Sequence, residues 1–125
     1  MATVDIKIEG SLLIAAVVGS LTRHDVISVI KEYYPNGIVK DVIWDLTNGS
    51  MQSLRQHDLH EIAIAAKATS GTRQGCKTAY VGLAAVEFGL QRMYTAIAEI
   101  AGVPVKYHVF KTIEEARNWI AQPMI

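Results

Sequence analysis

The chain has 125 residues, 12 of them basic and 12 acidic, so its formal net charge is zero; without a basic run it lacks the electrostatic footprint of a nucleic-acid binder. A single cysteine, Cys76, excludes an internal disulfide framework and suits a reducing compartment. The longest apolar stretch, residues 12–18, is far too short to cross a bilayer.

Half of the residues are hydrophobic, slightly more than a typical core needs once glycine is counted. A sheet covered by helices would absorb the surplus, and so would a surface kept for a partner or an apolar ligand. The first residues alternate charge and apolarity, unlike a signal peptide. A cytoplasmic location is expected.

Val4, Ile6 and Ile8 alternate with Asp5, Lys7 and Glu9, the period of a half-buried strand. A tight turn at Glu9-Gly10 leads into residues 12–18, apolar on both faces, so the pair reads as a hairpin whose second strand lies inside the sheet. The first strand is then an edge with charge on its outer face. Thr22 and Asp25 have the spacing of a capping box, and Val26, Ile27, Val29, Ile30 and Tyr33 supply a helical apolar face. Pro35 is expected to end that helix by disfavouring α geometry at Tyr34.

Asn36-Gly37 signals a turn, and Val42-Ile43-Trp44 a short buried strand ending in Asp45-Leu46. Ser53 and Gln56 suggest a second capping box ahead of Leu59, Ile62, Ala63 and Ala66, with Gly71 as the stop. Residues 78–83 read as the next strand. A third helix is expected from about Ala85, carrying Val86, Leu90, Met93, Ile97 and Ile100, with Gly102 as its C-cap. Residues 105–110 form the last strand, and Thr112 with Glu115 caps a final helix packed through Ile113, Ala116, Trp119 and Ile120. No linker or repeat interrupts the chain, so residues 1–125 read as one domain.

Strand–helix alternation forces parallel neighbours and right-handed crossovers. The reading is an α/β fold of order ββαβαβαβα: a mixed, mostly parallel five-stranded sheet covered by four helices. That order, with Gly19-Ser20-Leu21-Thr22, Ile43-Trp44-Asp45-Leu46, Phe88-Gly89-Leu90-Gln91-Arg92-Met93-Tyr94 and Val103-Pro104-Val105, resembles the STAS-type, SpoIIAA-like domains. The resemblance is strongest to stand-alone bacterial members grouped as STAS or CRAL–TRIO-like proteins of unknown role. It implies a regulatory or protein-interaction module, and because no nucleophile–base–orienter set can be assigned from spacing, an enzyme is not expected. The anti-sigma-factor antagonists of this fold carry a phosphorylatable serine in an Asp-Ser-Ser-Gly phrase at the helix after the strand ending here at Asp45-Leu46. Ser53-Leu54-Arg55-Gln56 falls across that phrase, so Ser53 is one position from the switch serine and the glycine is missing. The usual phosphoserine switch is therefore not expected.

Ser53 remains a regulatory candidate beside its plainer reading as a helix N-cap. His57 and His60 could meet on one helix face, but no further ligand completes a metal site by spacing, and a solvated face is expected. Cys76 lacks companions for nucleophilic chemistry. No cofactor is implied. The interface candidates are Phe88, Arg92 and Tyr94, an aromatic and arginine group of the kind found in interface cores, and Trp44, at a strand's C-terminal end where crevices form. The helix carrying Phe88 and Arg92 supports a homodimer or another protein partner as the first reading, while the surplus hydrophobicity and the CRAL–TRIO-like grouping suggest an apolar small ligand or lipid as the alternative.

Overall fold

Alternating charged and apolar side chains put one face of the first strand on a core and the other in water, and the chain uses them so. A computed structural model describes residues 2–35, 37–69, 75–88 and 105–122. The elements run β1 (Thr3–Glu9), β2 (Leu12–Ser20), α1 (Arg23–Tyr33), β3 (Asp41–Ser50), α2 (Gln56–Ala68), β4 (Lys77–Val81), α3 (Leu83–Phe88), β5 (Lys106–Phe110) and α4 (Ile113–Ala121). The sheet order is β1-β2-β3-β4-β5. β1 is antiparallel to β2, and every other pair is parallel. The expected stops at Gly71 and Gly102, and the third helix beyond Phe88, lie outside the described residues.

Period two then sorts the strands' side chains into two cores. Leu13, Ala15 and Val17 of β2, Val42, Trp44 and Leu46 of β3 and Tyr80 of β4 face Val26, Val29 and Ile30 of α1 and Leu59, Ile62, Ala63 and Ala66 of α2. On the opposite face Ile14, Ile43, Ala79 and Val81 pack on Ala116 of α4, with Phe110, Ile113, Trp119 and Ile120 beside them. α4 lies over β3, β4 and β5. Thr3, Asp5, Lys7 and Val18, on the β1–β2 half of that face, are exposed.

Both strong capping signals form. Thr22 Oγ1 accepts from the Asp25 amide at 3.2 Å and the Asp25 carboxylate accepts from the Thr22 amide at 3.0 Å. Thr112 Oγ1 likewise accepts from the Glu115 amide at 3.3 Å. Three boundaries differ from expectation. β3 continues through polar Thr47, Asn48, Gly49 and Ser50 because parallel pairing resumes after an irregularity, with Gly19 opposite Gly49 and Ser20 opposite Ser50. Pairing partners outweigh composition there. β4 stops at Val81, since Gly82 at φ +118° turns the chain into α3. Tyr34 keeps right-handed helical geometry ahead of Pro35. Its ring is buried and its hydroxyl accepts from Trp44 Nε1 at 3.2 Å, and these contacts override the pre-proline preference.

Two charged contacts fasten α4. Lys77, 5% exposed, donates from Nζ to the carbonyls of Trp119 (2.7 Å) and Gln122 (2.8 Å) and lies 5.3 Å over the Trp119 ring. A buried cation at a helix C-terminus satisfies carbonyls left open there and meets the negative end of the dipole. Arg117 forms a two-pronged pair with Glu9 of β1, both contacts at 3.0 Å. The Arg117 hydrogen bonds, and then that of Lys7, hold the Glu9 carboxyl down at about 2, and Glu9 raises Arg117 in return.

Candidate functional site

The parallel strands β2 and β3 end side by side at Ser20 and Ser50, and both lead into helices. Leu21 donates its amide to the Ser50 carbonyl at 2.8 Å, holding the two exits together. Residues 51–55 then connect β3 to α2. Met51 and Leu54 are buried (2% and 3% exposed), so they pin the connection to the core and leave Gln52, Ser53 and Arg55 outside. The Ser53 and Ser20 hydroxyl oxygens lie 2.7 Å apart. Arg23, in the first turn of α1, sits 3.7 Å from the Asp58 carboxylate of α2. The result is a small polar surface at the C-terminal edge of the sheet, framed by the starts of two helices.

Ser53 is not the N-cap of α2, which corrects the plainer reading. Arg55 holds that position, and its amide donates to Asp58 Oδ2 at 2.9 Å. A guanidinium has no acceptor, so only the carboxylate half of a capping box can exist. The carboxylate of Asp58 is a stronger acceptor than the Gln56 amide expected for that role. Leu54 before the cap and Leu59 after it are both buried and line the same space, the arrangement of a hydrophobic staple. Burial of Leu54 fixes where the helix begins.

Trp44 is a core residue, 1% exposed. With Leu21, Val26, Met51, Leu54, Leu59, Ile62 and Tyr80 it lines a void of about 10 Å³, room for roughly one water. An acyl or isoprenoid chain is far larger and would enter this space only by parting helices from sheet. Phe88 closes α3; Arg92 and Tyr94 lie outside the described residues. His57 and His60 are exposed on α2, with His57 Nε2 4.0 Å from Glu61. Cys76 is a half-buried thiol just ahead of β4.

Sequence reasoning singled out neither Ser20, Arg23, Gln52 and Arg55 nor two apolar residues of this edge. Leu83 and Val86 on α3 are 62% and 40% exposed. Val86 is expected among the apolar positions of a helix starting near Ala85. The earlier start rotates that assignment, and Ala85 is the buried position instead. Gly82, a residue that weakens a strand interior and often marks a bend, was the available signal.

No protein-family model matches the sequence, and no curated protein matches it. Among solved structures, the chain is similar to an uncharacterised protein of the DUF3478 family with a SpoIIAA-like fold from Shewanella loihica PV-4. The TM-score is 0.56 at 17% identity, over 96% of this chain and 93% of that one.

Proposed function

We propose, with a SpoIIAA-like fold as the premise, that this protein is a non-enzymatic regulatory module that binds another protein through the C-terminal edge of its parallel strands. The observation that carries the reading is the exposed Ser20–Ser53 hydroxyl pair, seated between the starts of α1 and α2 beside Arg23, Gln52 and Arg55. Leu83 and Val86, exposed where β4 turns into α3, add apolar contact area to a polar rim, the composition of a protein interface. No helix among the described residues is long and apolar enough to cross a membrane. The lone thiol suits the cytoplasm, where we place the protein.

The same geometry favours a structural Ser53 over a phosphate switch. The Asp25 and Asp58 carboxylates already accept from cap amides at both helix starts. A phosphoryl group on Ser53 would meet helix ends supplied with negative charge rather than open amides.

Photo-crosslinking amino acids placed at Gln52 and at Leu83 in producing cells test the reading, with Glu32 on the exposed side of α1 as the control position. Both test positions should give the same discrete protein adduct and Glu32 none. Absence of an adduct at both, or equal adducts at Glu32, overturns the assignment. An adduct that survives Ser53→Ala and vanishes with Ser53→Asp would reinstate the switch.

A further inference from the structure

The geometry points to a homodimer formed by antiparallel pairing of β1 with β1 of a second copy, joining two sheets into one of ten strands. β1 is an edge strand whose other side meets no strand among the described residues. Its hairpin closes through a two-residue turn, with Gly10 at φ +63° and Glu9 opposite Leu12. Such turns make the closing pair a hydrogen-bonded one. Thr3, Asp5, Lys7 and Glu9 therefore direct their backbone groups toward β2. Val4, Ile6 and Ile8 direct theirs away from the sheet, toward an incoming strand.

One register satisfies both backbone and side chains. A two-fold axis through Ile6 pairs Ile6 with its own copy and Val4 with the partner's Ile8, and these are the residues with outward amides. The same register sets Asp5 directly opposite the partner's Lys7, and the axis repeats that pair. These are non-hydrogen-bonded positions, where opposing side chains approach most closely. Edge charges ordinarily repel an added strand; here their order makes the strand complementary to itself when reversed. Ile8, 45% exposed in the single chain, is covered twice in the pair. The bond from Arg117 to Glu9 holds the end of β1 in place for pairing.

Sedimentation equilibrium of the full chain and three charge variants, each checked by circular dichroism, tests the inference. The parent should dimerise reversibly, and more weakly as salt rises, because the pairs are exposed. Lys7→Asp places carboxylate against carboxylate twice and should raise the dissociation constant about tenfold or more. Asp5→Lys places ammonium against ammonium, and serves equally if Lys7→Asp misfolds. The double variant Asp5→Lys/Lys7→Asp restores opposite charges and should recover the dimer. A parent that stays monomeric at millimolar concentration overturns the inference. So does a dimer indifferent to either single reversal, or one that the double swap fails to recover. None of these outcomes touches the crosslinking at Gln52 and Leu83.

Discussion

Gly82 stands where β4 turns into α3, and a Cβ there would lie 2.9 Å from the Leu46 carbonyl carbon and 3.0 Å from its oxygen and the Thr47 amide nitrogen. Its φ of +118° is open to glycine alone. Gly82→Ala meets rigid backbone and a strained dihedral together, so it should cost about 2 kcal/mol or more. A urea midpoint lowered at unchanged slope would register that loss, and a parental midpoint would contradict it. Glu9 offers a titration at the same scale. Its folded-state value is lowered, so the Arg117 pair contributes fully above the ordinary 4.5 and fades as pH falls through about 2. The side chains are solvent-accessible and the contribution to stability is correspondingly modest. An NMR titration should find the Glu9 midpoint near 2, and Arg117→Gln should raise it toward 4.5, with Lys7 still holding it below that value. A midpoint unmoved by that change would show that Arg117 is not the cause.

Among the elements, α4 has an unusual fastening: a lysine from a neighbouring strand closes its C-terminal carbonyls. Lys77→Met keeps the stem's bulk but leaves those carbonyls without this donor, which should cost about 1–3 kcal/mol. Hydrogen exchange should then accelerate in residues 113–121 before it does in α1. Uniform acceleration across both helices would mean that α4 does not open separately. Element types were largely readable from local rules. Period two marked β1, two-sided apolarity marked β2, and Thr22–Asp25 and Thr112–Glu115 marked two helix starts that the structure reproduces. Two of the failures share a cause, since each was decided by a long-range partner. Ser53 was read as a cap because the burial of Leu54, which moves the helix start to Arg55, is a tertiary fact. The polar end of β3 looked like loop because its pairing with residues 18–20 of β2 leaves no local mark.

At the scale of the molecule, the strand–helix order was enough to anticipate a mixed five-stranded sheet, because crossover handedness leaves few alternatives. The surface chemistry was less accessible. No spacing rule brings Ser20 to Ser53, which meet only because β2 and β3 end side by side. Nor does any local pattern match Arg117 to Glu9, 108 residues earlier. That separation has a consequence for biogenesis. At typical synthesis rates the arginine leaves the ribosome roughly 5 to 20 seconds after its glutamate. Until then the side of the nascent sheet bearing Ile14, Ile43, Ala79 and Val81 has no α4 over it. A translating ribosome stalled ahead of residue 113 therefore displays an oily plane, and chaperones that patrol nascent chains would find it there.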